Sequence, residues 1–527
     1  MNSIIVGQIM LTPGTPEQTA AAIALRKVGL SPAQATAAVC RRSVDARKPG
    51  RIKMVYSVRI TPYTGETAAI LSRVTDQKNI RLLTESPSPP LARGTEILAH
   101  RPVVTGFGPA GIFAALLLAR AHMRPLVLER GPDMDSRAAA CTRFWQSGEL
   151  DPEANVQFGE GGAGSFSDGK LTTRIGDPRC RTVLETFAAH GASPDVLIEA
   201  HPHVGTDKLR EIVKSMRREI IALGGEVRFG VRLTGLRGEG ILKSAETSVG
   251  EIPCEALVLA VGHSARDTVT MLAGLGTALE KKPFSVGFRI EHTQGEVNDM
   301  FYGAGARPSL PPAEYQLSHR AGERGCYTFC MCPGGVVVPA ASEVGGIVTN
   351  GMSYSGRDGA MANAAVVASV LPEDILGGPL EAIACQRAIE RAAFSEGYRA
   401  PMERADKFAG IRTAKPTAAS PTYARGVRER SLAGLLPPGP EALLKAGLAR
   451  FEGLYPGFAG GILTGIETRT SAPWRMPRED GQLTGLGGVY PAGEGAGYAG
   501  GIVSAAVDGL RAAEAILARY GALREGP

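Results

Sequence analysis

The sequence predicts an α/β chain. Its main part is a three-layer βαβ domain on a parallel sheet, interrupted by an inserted mixed α+β domain. A small α/β unit, with a ferredoxin-like fold as one expectation, precedes it. Three observations predict this. A strand, glycine turn, helix and strand follow one another over 103–130. Buried strands ending in glycine return at 255–262 and 488–493. The stretch between those two has a different texture, with short strands set among Gly and Pro. The expected boundaries are 1–95, 96–280, 281–447 and 448–527.

In the N-terminal unit a strand over 4–11 leads into helical patterns over 17–28 and 32–42. An alternating, β-branched strand follows over 51–60. The run Ser86-Pro87-Ser88-Pro89-Pro90 reads as a linker. Next comes Val103-Val104-Thr105-Gly106-Phe107-Gly108-Pro109-Ala110-Gly111, an apolar helix pattern, and Leu126-Val127-Leu128-Glu129-Arg130. Gly106 suits a tight turn, and Gly108 admits a pyrophosphate to the backbone. Gly111 lets the helix sit on the sheet, and Pro109 and Ala110 open the helix whose amides face phosphates. Glu129 ends the second strand roughly 20 residues on, where a carboxylate accepts from a ribose diol. It would repel a 2′-phosphate, which favours FAD or NAD. The glycine pattern recurs at Gly159 and Gly495, but only the first copy has the full Rossmann-type context, with Arg130 beside the acid. Since the helix over 501–519 is followed by the end of the chain, no second nucleotide-binding βαβ unit is expected there. In the insertion, strands are expected over 285–290, 335–339 and 345–349, and a helix over 380–395.

Candidate chemistry clusters in four places. The loop Phe158–Leu171 carries Gly161, Gly162, Gly164, Ser165, Ser167, Asp168 and Lys170. It is too rich in glycine to pack a core and reads as an anion-binding nest over a pyrophosphate or flavin ring. Gly262-His263 ends a buried strand, where His263 can act as an acid or base; Lys170 is the other catalytic candidate. The neighbouring Arg266 and Asp267 can simply pair. Gly493-Glu494, followed by Gly500, Gly501 and Ile502, places a carboxylate and a helix start where a ribityl chain and a flavin pyrimidine edge would lie. Arg469 and Arg475 can hold an anionic substrate, or pair with Glu467 and Glu479. Cys330 and Cys332, alternating in a strand, raise a redox question. Buried apolar thiols are the plainer reading, as nothing basic lies beside them in sequence.

Bulk properties exclude several classes. The 527 residues are 44% hydrophobic and 21% charged, with a net charge of +6, too small for this length to point to nucleic acid. Eight cysteines without a CxxC pair, no basic leader and no spanning apolar run give the expectation of a cytoplasmic protein with no metal site.

The chain resembles a bacterial family of FAD-dependent dehydrogenases, mostly described as NAD(P)/FAD-dependent oxidoreductases. They are similar to glutathione-reductase-type flavoproteins with one Rossmann FAD domain. The likeness rests on Ser43–Arg47, Gly106–Gly111, Phe158–Leu171, Gly262–Asp267, Arg289–His292, Phe329–Gly335, Thr349–Ser353, Arg469–Ser471 and Gly493–Gly495. It implies bound FAD and an inserted substrate domain. Glu494 stands where the wider class often has aspartate. No CxxxxC follows the first helix, so disulfide reduction is not carried over. The expected function is an FAD-dependent oxidoreductase passing hydride or electrons between flavin N5 and an organic small molecule. NAD(P)H would bind transiently in the substrate cleft or not at all. A monooxygenase or saturase, an RNA-associated flavoprotein and a non-catalytic flavin binder stay open as alternatives.

Overall fold

The computed structural model describes residues 2–64, 67–83, 91–305, 309–413 and 415–524. The expected linker at 86–90 lies outside them.

Five short strands form the central parallel sheet, in the order Val489–Pro491, Leu257–Leu259, Val103–Thr105, Leu126–Glu129 and Glu226–Phe229. The chain builds outward from Val103–Thr105 on one side, then returns to lay Leu257–Leu259 on the other. That reversal opens a crevice at the carboxyl ends of the strands. Helix Pro109–Arg120 starts at Gly108 with proline in its first turn. It is buried almost all round, between the sheet and helix Ile502–Arg519. The helices approach so closely that a Cβ on Gly509 would lie 2.0 Å from the Ala110 carbonyl oxygen.

The insertion forms a seven-stranded sheet. Its order is Ser318–Ala321, Arg324–Cys332, Met361–Val370, Phe284–Thr293, Ile462–Glu467, Ala400–Arg404 and Val427–Glu429. Helix Pro438–Leu454 covers one face, with Gly447 pressed on Cys326. Ile462–Glu467 lies past 447, so this sheet takes in residues that the sequence assigned to the C-terminal part. The expected strand at 345–349 is displaced to Thr349–Met352, which pairs with Val336–Pro339. The expected helix at 380–395 is present as Pro379–Ala392.

The N-terminal unit runs strand, helix, strand, strand, helix, strand. Its antiparallel order is Ile80–Leu83, Ser3–Leu11, Lys53–Pro62, Ala35–Asp45, the ferredoxin-like arrangement. The helix expected over 32–42 is a strand instead. Its alanines favour a helix, but ten backbone pairings with Lys53–Pro62 override that preference. Among the described residues no helix is long and apolar enough to cross a membrane.

Candidate active site

One cavity of about 1370 Å³ lies between the carboxyl ends of the parallel strands and the seven-stranded sheet. Pockets for drug-sized ligands hold roughly 300–1,000 Å³, so this one has room for a dinucleotide and a second molecule.

Its inner wall is the first glycine turn. Gly106 has φ +92°, and a Cβ there would lie 2.3 Å from the Ala260 carbonyl oxygen. Any other residue would strain the turn and strike the next strand. The first hydrogen bond into the helix runs from Ile112 N–H to the Gly108 carbonyl at 2.9 Å, which leaves the earlier helix-start amides for a ligand. Gly111 does not line the cavity. It packs on the turn, where a Cβ would be 1.9 Å from the Gly106 oxygen. Glu129 is buried; its Oε2 accepts from the Phe107 amide at 2.7 Å, and its Oε1 accepts from Gly131 and Gly159, each at 2.9 Å. Arg130 pairs with Glu153 and Asp267 and lies over the Phe158 ring. Asp267 therefore pairs with Arg130, not with Arg266.

The Gly159–Gly164 loop is packed on this turn, so closely that a Cβ on Gly162 would lie 3.0 Å from Gly108 Cα. Two of the amides expected to form an anion nest have partners within the protein. The Gly161 amide bonds the Phe107 carbonyl at 2.8 Å, and that of Gly162 bonds Gly159 at 3.0 Å. Ser165 is fully buried, away from the cavity. Ser167 Oγ donates to the Gly164 carbonyl, and Asp168 is held by Arg357. Gly161 and Gly162 serve close packing with their amides used by the protein itself, while Gly162, Ala163 and Gly164 line the cavity. Lys170 faces the cavity, with its Nζ donating to the Met331 carbonyl and 3.6 Å from Glu314.

Two further walls come from the returning strands. Gly262 takes φ +77°, and His263 Nδ1 lies 3.8 Å from Glu494 Oε2. Burial, with Arg469 and Arg266 nearby, holds His263 down at about 3, so its imidazole is neutral near pH 7. Burial pushes the Glu494 carboxyl up to about 7 against the pull of Lys282. Gly500, Gly501 and Ile502 present the start of an eighteen-residue helix to the cavity. Gly493 stays behind it, with its N–H donating to Asp508 at 2.8 Å.

The two arginines expected for an anionic substrate are not available for one. Arg469 lies on the cavity wall but pairs with Glu390 at 3.1 Å, in a buried cluster with Arg266. Arg475 lies outside the cavity, with its guanidinium over Tyr498. Nor does simple alternation place Cys330 and Cys332. A bulge interrupts the strand between Phe329 and Cys332, and Cys330 has φ +44°. Both thiols line the cavity, Cys330 exposed and Cys332 buried in its wall, and burial raises the Cys332 thiol to about 12. Basic groups do reach this bulge, from distant parts of the chain. Arg289 donates to the Cys330 carbonyl at 2.9 Å and to Asn350 at 3.0 Å while paired with Glu467. Spacing along the chain held no sign of that contact, because it spans separate strands.

Among the described residues one Rossmann-type parallel sheet is present, with the cavity at the carboxyl ends of its strands. A family model described as "FAD-dependent protein, C-terminal domain-like" matches residues 283–470, and one described as a domain of unknown function matches residues 3–61. An uncharacterized protein of Clostridium beijerinckii is 46% identical over 494 residues, covering 92% of each chain. The chain belongs to the same family as this relative, and its residues 283–470 match a domain of FAD-dependent proteins. Glycine oxidase from Geobacillus kaustophilus is 14% identical, with 82% of this chain and 100% of that one covered at a TM-score of 0.32. Iminodiacetate oxidase from Chelativorans sp. BNC1 is also 14% identical, with 81% and 100% covered at 0.35. Likenesses this distant carry neither substrate nor reaction.

Proposed function

We propose that the cavity holds FAD together with an organic substrate and that hydride or electrons pass between flavin N5 and that substrate. One observation carries this: a glycine turn, a helix start and a sheet edge from three parts of the chain wall a single cavity large enough for both. The residues fit the cofactor. The Gly106–Gly111 turn offers helix-start amides to a pyrophosphate. Glu129 Oε2 has accepting capacity left for a ribose hydroxyl. The helix start at Ile502 favours negative charge on the ring. Flavin supplies the redox chemistry when bound. The chain's own residues position and insulate. Neutral His263 can accept or donate one hydrogen bond, and Glu494 can hold or release a proton near neutrality. The seven-stranded sheet covers one side of the cavity. Among the described residues one parallel sheet carries the glycine turn, so NAD(P)H, if used, enters the same cavity.

The purified protein is expected to be yellow, with a flavin spectrum released on denaturation. Gly108→Val is expected to be folded by circular dichroism but colourless, because its methyls press on Gly162 and fill the phosphate space. A folded wild-type protein that refuses added FAD would refute the proposal.

A further inference from the structure

The outer end of the cavity carries more positive charge than its ion pairs account for. Arg41, Arg174 and Arg320 all line it. They come from the N-terminal unit, from the segment after the glycine-rich loop, and from the strand Ser318–Ala321. Among the described residues the side chains of Arg41 and Arg320 have no hydrogen-bond or ion-pair partner, and that of Arg174 bonds only the neutral Gln316, at 2.9 Å. The carboxylates nearby are mostly engaged. Glu314 takes Lys170, His201 and Arg357, while Arg324 is held by Asp374. Glu323 is the remaining acid at this end, one charge against three.

Arg41 is held in place by its neighbour. The Arg42 amide donates to the Ile198 carbonyl at 2.7 Å, and the Ala200 amide donates back to the Arg42 carbonyl at 2.8 Å. The Arg42 guanidinium grips Glu17 at 2.9 Å and Asp195 at 3.2 Å, and also Glu199. Successive side chains of a strand point opposite ways, so anchoring Arg42 turns Arg41 toward the cavity beside Ala200 and His201. A second tie, from the Gly50 amide to the Tyr302 carbonyl at 2.8 Å, fixes the other end of the same unit. The N-terminal unit is thus seated so that it completes the cavity mouth.

We propose that this outer end binds a small polyanion, bearing phosphates or several carboxylates, and that the N-terminal domain is part of the site through Arg41. Guanidinium forks match such oxyanions in geometry. A concave wall of one sign concentrates the field on an incoming anion. The charged group would be held at the rim while the rest of the molecule extends inward past Lys170 and Cys330. The assignment rests on the flavin-plus-substrate reading of the cavity.

The test titrates inorganic pyrophosphate into the yellow holoprotein by calorimetry. Wild type is compared with Arg41→Gln and with the triple variant Arg41→Gln, Arg174→Gln, Arg320→Gln. Binding is expected to weaken with added salt, to fall severalfold in the single variant and roughly tenfold or more in the triple. Flavin absorbance and thermal unfolding should stay unchanged. No binding by wild type, or equal binding by the triple, overturns the assignment while the protein is yellow; colourless folded protein instead overturns the reading beneath it. Flavin reduction by NADPH distinguishes the sources of the anion. A matching loss of reduction rate in the triple assigns the site to the nucleotide's phosphates. Unchanged reduction alongside lost pyrophosphate binding assigns it to the substrate.

Discussion

At the residue scale, the charge of Glu494 is poised at neutrality. Burial raises its folded value to about 7, above that of the unfolded chain. The folded state therefore holds the proton more tightly. The stability this group contributes is full below the ordinary carboxylate range and is lost as pH rises through about 7. Cofactor-stripped wild type should lose melting temperature between about pH 5 and pH 8 relative to Glu494→Gln, which has no proton to release. Parallel curves for the two proteins would show that Glu494 is not held protonated. His263 beside it contributes no positive charge in this range, since burial keeps its imidazole neutral.

At the element scale, three pieces meet at one carboxylate. Helix Pro379–Ala392 of the insertion carries Glu390, which is buried. It accepts from Arg266, at the start of helix Arg266–Gly274, at 2.8 and 2.9 Å. It also accepts from Arg469 at 3.1 and 3.2 Å and from Thr468 at 2.7 Å. Burial would raise this carboxyl, but Arg469 and Arg266 hold it down at about 2. Its contribution is therefore present at neutral pH and lost as pH falls toward about 2. Glu390→Gln leaves the buried Arg469 guanidinium without a paired carboxylate and Arg266 with Glu343 alone, an expected cost of about 3–5 kcal/mol. The urea midpoint should fall accordingly. A shift of a few tenths of a kilocalorie per mole would mean the cluster is wet and weakly coupled.

At the scale of the whole molecule, the cavity belongs to both the parallel sheet and the seven-stranded sheet. A ligand filling it couples their unfolding. FAD at a hundredfold excess over its dissociation constant should stabilise the stripped protein by about 2.7 kcal/mol. The two tryptophans report on both sides. The Trp145 indole donates to the Pro339 carbonyl at 3.0 Å, and that of Trp474 to the Gly495 carbonyl at 2.7 Å. Loss of tryptophan order and release of flavin are expected at one temperature, followed by fluorescence at two wavelengths. Flavin leaving well before the tryptophans change would separate the cavity from the fold's cooperative unit.

The sequence by itself determined the first crossover and the return of the chain to the core sheet near 255–262 and 488–493, though not the edge strand Glu226–Phe229. Gly106 must take a positive φ against the Ala260 carbonyl, and such a local steric demand is written in residue type and spacing. The sequence suggested a ferredoxin-like small unit but not its strand order, and its alanine-rich strand Ala35–Asp45 looked helical, since pairing with a distant strand decides that element. Only the tertiary structure decided how the buried charges are shared. Arg469 went to Glu390 rather than to a substrate, Arg289 to the Cys330 bulge, and the amides of Gly161 and Gly162 to the protein's own carbonyls. Arg41 became part of a cavity wall. Backbone geometry is a property of a few neighbouring residues, whereas the partner of a charge is set by which distant segments the fold brings within a few ångströms of it.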